Sequence, residues 1–81
     1  MMEWIESDKE LPGADGKVWI TNRPIKAGEL IKYEEVIVMG FYQAVAFYDG
    51  YGFLFDGIYR PAQFWMPYKE LKKRYGKIIN E

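Results

Sequence analysis

The chain has no cysteine and no histidine. With them go disulfide staples, thiol nucleophiles, Cys/His zinc sites and imidazole acid-base catalysis, and most enzyme mechanisms as well. Neither sign of charge dominates. Eleven Lys plus Arg face twelve Asp plus Glu, a net charge of −1, so no nucleic-acid or anionic-membrane partner is expected from bulk charge. No apolar run approaches the roughly 18 residues of a membrane span. Met1 to Lys9 is acidic and lacks the basic start and apolar core of a signal peptide, so a soluble protein of the cytoplasm is expected. The missing cysteine fits a reducing compartment.

Length is also scarce. Eighty-one residues hold one domain, 1–81, and not two. Area scaling for 9.6 kDa gives roughly 14,000 Å² exposed unfolded and roughly 5,100 Å² folded, so about 63% of the surface is buried and stability is modest. What the chain has in excess is aromatic side chains, seven Tyr, five Phe and three Trp, or 19%.

Glycine and proline divide the chain. Glu6 to Gly16 reads as a loop, with Pro12-Gly13 and Asp15-Gly16 as turn formers. Lys17 to Asn22 is β-branched and aromatic and stops before Pro24, a strand. Ile25 to Glu34 mixes charged and apolar residues without a period and reads as a connection. The run Val36 to Tyr48 is the most apolar, and its β-branched content and interior Gly40 predict two strands, or one bent at Gly40. Asp49-Gly50-Tyr51-Gly52 fits the positive φ angles of a tight primed turn. Phe53 to Phe55, a turn at Asp56-Gly57, and Ile58 to Arg60 continue an antiparallel meander, and Gln63 to Met66 is its last strand. Lys69 to Tyr75 then predicts a short helix, with Tyr68, Leu71 and Tyr75 on one face, Glu70 four residues before Arg74, and Gly76 as a left-handed cap. Two turns do not persist alone in water, so this helix must dock; Ile78 and Ile79 are placed on the sheet with it. The expected class is α+β, mostly β: a small antiparallel meander sheet with a short C-terminal helix packed on it.

Carboxylates offer little chemistry. None sits in a calcium-binding, Walker or zinc-helix motif, and Asp49 and Asp56 each precede glycine, where a turn role suffices. Gly50-x-Gly52 lacks the helix and the Lys-Ser/Thr of a phosphate cradle. Lys69, Lys72, Lys73, Arg74 and Lys77 form a basic cluster that reads as a solvated helix face. No catalytic residue, metal site or cofactor is assigned, and a non-enzyme is expected.

The aromatics carry more. Trp19, Phe41, Phe47, Phe53, Phe55, Phe64 and Trp65 are expected to build the core. Trp4, Tyr33, Tyr42, Tyr48, Tyr51, Tyr59 and Tyr68 then remain at least partly exposed, and exposed Tyr and Trp mark binding surfaces. With Arg23 or Arg60 beside them they would stack a base while the guanidinium holds a phosphate. Arg60, Tyr59, Trp65 and Arg23 are the candidate ligand residues.

Three separated motifs carry a family resemblance: Trp4-Ile5 with Leu11-Pro12 and Gly16-Lys17-Val18-Trp19-Ile20-Thr21; Ala46-Phe47-Tyr48-Asp49-Gly50 with Phe53; and Phe64-Trp65-Met66-Pro67. Together they resemble the small phage and prophage family called domain of unknown function 551, over most of residues 4–68 except 24–40. Family members close with His-Trp-Met-Pro-Leu-Pro. Phe64 stands here in place of that histidine, and Tyr68-Lys69 in place of the Leu-Pro ending, so no role of the histidine transfers. The resemblance implies a phage-type accessory protein in the host cytoplasm; with the thin core, the surplus aromatics and the missing catalytic residues, the expectation is a binding protein, an oligomer, acting in counter-defence by analogy with other small phage accessory proteins. The expected ligand is a nucleotide-like signalling molecule. The alternative is inhibition of a host defence enzyme through a sheet edge or the acidic loop of Asp8, Glu10 and Asp15.

Overall fold

The computed structural model describes residues 4–13, 16–31, 42–76 and 78. Six strands form one antiparallel sheet: β1 (Ile5–Glu6), β2 (Gly16–Thr21), β3 (Gln43–Tyr48), β4 (Phe53–Phe55), β5 (Ile58–Arg60) and β6 (Phe64–Pro67), followed by helix α1 (Tyr68–Tyr75). The described part of the connection after β2 contains a 3-10 turn, Ala27–Glu29. The expected class, mostly β with one short C-terminal helix, is the class observed.

The order across the sheet is β1-β6-β2-β3-β4-β5. Strands β2 to β5 follow one another as an antiparallel meander, as expected, with β3 covering the second half of the Val36–Tyr48 stretch; residues 36–41 of that stretch lie outside the described residues. β6 departs from the meander, crossing back to pair with β2 on the far side, Ile20 opposite Trp65 and Trp19 opposite Met66. Nothing local in Phe64–Pro67 encodes that return, because the strand is chosen by what its side chains bury. β1, two residues of which Glu6 falls in the stretch expected to be a loop, closes the far edge by pairing Ile5 with Trp65.

Both faces of the sheet are covered, which is why Val18 to Thr21 are all buried instead of alternating. On one face lie Val18, Ile20, Ala44, Ala46, Tyr48, Phe53 and Trp65. The segment before β2 lies against this face, Pro12 buried and the Glu10 carbonyl accepting the Trp65 indole N–H at 2.8 Å. On the other face Trp19 and Met66 pack with Ile25, Leu30, Leu71 and Ile78. Leu71 is the buried residue of α1, with Tyr68 and Tyr75 packed at the margin, so the helix docks by the expected stripe. Ile79 lies outside the described residues. Gly76 ends α1 at φ +78, its N–H on the Lys72 carbonyl at 2.8 Å. Glu70 reaches Lys73 at 4.0 Å, an exposed pair worth little.

Strand parity corrects the aromatic assignment. Ala44, Ala46 and Tyr48 share the β3 face that packs inward, so Tyr48 is buried at 6% exposure while Phe47, expected in the core, is 43% exposed. Trp19, Phe53 and Trp65 are buried as expected; Phe55 and Phe64 are half-buried. Tyr33, Gly40 and Phe41 lie outside the described residues. Trp19 is tied by a buried polar relay, its indole N–H donating to Gln43 Oε1 at 2.9 Å while Gln43 Nε2 donates to the Glu29 carbonyl. The buried Trp19 indole N–H and both ends of the Gln43 amide therefore have partners.

The two Asp-Gly turns differ. Asp56 and Gly57 take φ +52 and +78 between the paired Phe55 and Ile58, the two-residue primed turn that positive φ at both centres allows. Asp49 to Gly52 is instead a four-residue loop closing the Tyr48–Phe53 pair, with positive φ at Gly50. The tight turn expected at Asp49-Gly50 gives way because Asp49 uses its side chain: Oδ1 accepts the N–H groups of Tyr51 at 2.8 Å and Gly52 at 3.1 Å.

Candidate functional site

The β3–β4 loop, the β4–β5 hairpin and Leu11 from the N-terminal segment surround a cleft of about 270 Å³, walled by Tyr48, Tyr51, Phe53, Tyr59 and Arg60 and floored by Gly52, Pro61 and Ala62. Tyr48 and Phe53 are rigid inner walls, buried and packed at 5.2 Å between ring centroids. Tyr51 stands almost wholly in solvent, 91% exposed, and Tyr59 is 55% exposed. Large aromatic rings left outside the core around a concavity are the arrangement by which proteins grip planar ligands.

Asp49 positions this rim. Besides folding the loop that carries Tyr51, its second carboxylate oxygen accepts the Tyr59 hydroxyl at 2.5 Å. A single carboxylate thus holds the backbone of the loop that carries Tyr51 and the hydroxyl of Tyr59 on β5. Gly52 is needed beneath them, because a Cβ there would lie 2.8 Å from Tyr59 Cδ1. Arg60 supplies the positive charge, its guanidinium carbon 5.9 Å from the Phe55 ring centroid, a cation over an aromatic face.

The hydrogen bond from Tyr59, followed by those from Tyr51 and Gly52, lowers the Asp49 pKa from its ordinary value, and the same bond raises that of the Tyr59 hydroxyl. The tie is accordingly complete between the two titrations. Its stabilisation is present above the ordinary carboxylate pKa near 3.8 and is lost as pH falls through the lowered folded value. At the other end it is present below the ordinary tyrosine pKa near 10 and is lost as pH rises through the raised folded value. Tyr59→Phe should return the Asp49 carboxyl toward its ordinary titration and increase the disorder of the Tyr51 loop, which carboxyl-carbon NMR across an acid titration measures.

Of the four residues singled out as ligand contacts, the structure brings Tyr59 and Arg60 together at the cleft. Trp65 is 5% exposed and belongs to the core beneath Ala62, a support and not a contact. Arg23 follows the far end of β2 and is held there by Glu29, two guanidinium nitrogens at 3.3 Å from the two carboxylate oxygens. This bond, with that from the Lys26 N–H, lowers the Glu29 pKa. Asp8 and Glu10 are exposed on the turn after β1, while Asp15 lies outside the described residues. Leu11, Tyr48 and Tyr51 were not singled out from sequence as contacts. For Tyr51 a signal existed, a large ring between two glycines in a loop that gives it no neighbour to pack on. Leu11 arrives only through the fold.

Among the described residues no three acidic side chains gather as ligands for a metal ion, and no helix is long and apolar enough to cross a membrane. No family model matches the chain, and no curated protein or solved structure matches it.

Proposed function

We propose that the chain is a non-enzymatic binding protein that captures a small, planar, anionic ligand of nucleotide type in the cleft of Tyr51, Tyr59 and Arg60. The observation that carries this reading is the placement of the 91% exposed Tyr51 and the half-exposed Tyr59 around one concavity with an arginine in its wall. Stacking of a base on an aromatic side chain contributes about 1–3 kcal/mol, and an arginine–phosphate hydrogen bond is among the strong, charge-assisted ones. A volume of about 270 Å³ lies just below the roughly 300–1,000 Å³ of sites that enclose drug-sized ligands. It suits one base, with sugar and phosphate extending along Arg60 to solvent. The counter-defence role rests on the motif resemblance: a phage-type accessory protein would act by removing a host nucleotide signal from solution.

Native mass spectrometry of the protein purified from its host cytoplasm tests the reading. Retention of a nucleotide-sized adduct, with heat stabilisation by the same compound, supports it. A protein without adduct that no nucleotide stabilises contradicts it.

A second reading, inhibition of a host defence enzyme, is favoured by the exposure of Asp8 and Glu10 on a turn anchored by Ser7, whose hydroxyl donates to the Ala62 carbonyl and whose N–H donates to the Gln63 carbonyl at 3.0 Å. Reversal of charge at Asp8, Glu10 and Asp15 should then abolish capture of that enzyme while leaving nucleotide binding intact.

A further inference from the structure

We infer that the cleft binds nucleotides without distinguishing their bases: it holds the face of a ring and a phosphate, and it does not read the ring edge. This rests on the ligand reading above and narrows what that site selects. A site rejects the wrong base strongly only where it offers donors and acceptors that the wrong base would leave unpaired. Selection by the cleft thus depends on where its polar groups are spent.

Among the described residues, most of those groups hold the fold. The Gly52 N–H donates to Asp49 Oδ1 at 3.1 Å, and the Gly52 carbonyl accepts the Asp49 N–H at 3.3 Å. The Tyr51 N–H donates to the same Oδ1 at 2.8 Å, and the Tyr59 hydroxyl donates to Oδ2 at 2.5 Å. The Ala62 carbonyl accepts the Ser7 hydroxyl, and Pro61 has no N–H. Leu11 adds a wall whose side chain has neither donor nor acceptor. It is 53% exposed, yet its backbone is anchored on both sides, because the Glu10 carbonyl accepts the Trp65 indole N–H at 2.8 Å and Pro12 is buried. The hydroxyls of Tyr48 and Tyr51 remain. A hydroxyl rotates to donate or to accept, so neither tells an amino group on a base from a carbonyl. What the cleft turns to a ligand is therefore ring faces, the Leu11 methyls and the Arg60 guanidinium, and stacking on an aromatic face tolerates any base because every base has one.

Calorimetric titration of the full chain with the 5′-monophosphates of adenosine, guanosine and purine riboside tests this, because these compounds share ring size, sugar and phosphate and differ only in their edge groups. Their affinities are expected to agree within about threefold. Ribose 5-phosphate, which lacks the ring, should bind at least about tenfold more weakly. Leu11→Ala should weaken all of the nucleotides alike, by about three- to tenfold, and shift the melting temperature by no more than about 4 °C. A preference above about tenfold for one of the purines, or a Leu11→Ala effect confined to one of them, overturns the inference and leaves the ligand reading standing. If the parent binds none of them, or binds ribose 5-phosphate as tightly as a nucleotide, both are overturned.

Discussion

Replacing Trp19 with alanine should lower the melting temperature by at least about 12 °C, the largest stability effect expected from a single side chain here. Trp19 has no exposed surface. It lies between the sheet and the helix-side residues Leu71, Ile78, Leu30 and Ile25, stacked near Tyr68 with ring centroids 6.3 Å apart. Truncation of a buried tryptophan costs about 3–5 kcal/mol. Gln43 Oε1 also loses its donor, so the amide must be desolvated without compensation. A domain of 81 residues has about 4–12 kcal/mol in all, at roughly 0.05–0.15 kcal/mol per residue, and each 1 kcal/mol moves the midpoint of so small a domain by about 4–8 °C. Phe47→Ala is the control. Its ring, 43% exposed, should shift the midpoint by only a few degrees. Thermal denaturation followed by circular dichroism compares the two, and equal shifts would contradict the assignment of strand faces.

The second large effect concerns binding. Combining Tyr51→Ala with Arg60→Gln should weaken nucleotide affinity on the order of 100-fold, about 2.7 kcal/mol, with little change in stability. On the proposed reading, stacking on Tyr51 would account for roughly 1–3 kcal/mol, and a charge-assisted bond to Arg60 for about 1.5–3 kcal/mol. Tyr51 bears no structural duty, being 91% exposed. Arg60 sits in an edge strand whose backbone pairing with Phe53 does not require its side chain. Calorimetric titration of the double variant and of Arg23→Gln separates the cleft from the other candidate arginine. Arg23, held by Glu29 at the other end of β2, should bind as the parent does.

These effects show where local chemistry sufficed and where it did not. Asp56-Gly57 was legible because positive φ at two successive positions is a property of the residues themselves. The stripe of α1 was legible because the 3.6-residue period is local. The return of β6 to β2 was not, since strand partners are selected by long-range burial: Trp65 and Met66 face opposite clusters and need a neighbour covered on both sides, which β2 is. Phe47 and Tyr48 were exchanged for a related reason. In a strand with apolar residues at both parities, alternation says that neighbours oppose each other and not which faces inward. Ala44 and Ala46, small enough to lie under Trp65 and Val18, decide the matter in the fold.

The placement of the candidate residues was legible only in part. Tyr59-Arg60 stood out as an aromatic–cation step next to a turn, and the cleft bears it. Trp65 and Arg23 lie away from the cleft because burial and ion pairing are set by residues distant in sequence, Glu10 and Ala62 in one case and Glu29 in the other. Asp49 was identified with a turn and performs one, but its bond to Tyr59 ten residues on appears only when β5 folds back along β4 and brings Tyr59 beside the β3–β4 loop.

A titration of the ¹⁵N-labelled protein with nucleoside 5′-monophosphates, followed by amide NMR, tests the central claim most directly. Saturable shifts confined to Tyr51, Gly52, Tyr59, Arg60 and Ala62, with Arg23 and Asp8 unmoved, are the expected result. No shift with any base, or shifts centred on Arg23 or on the basic face of α1, would contradict it.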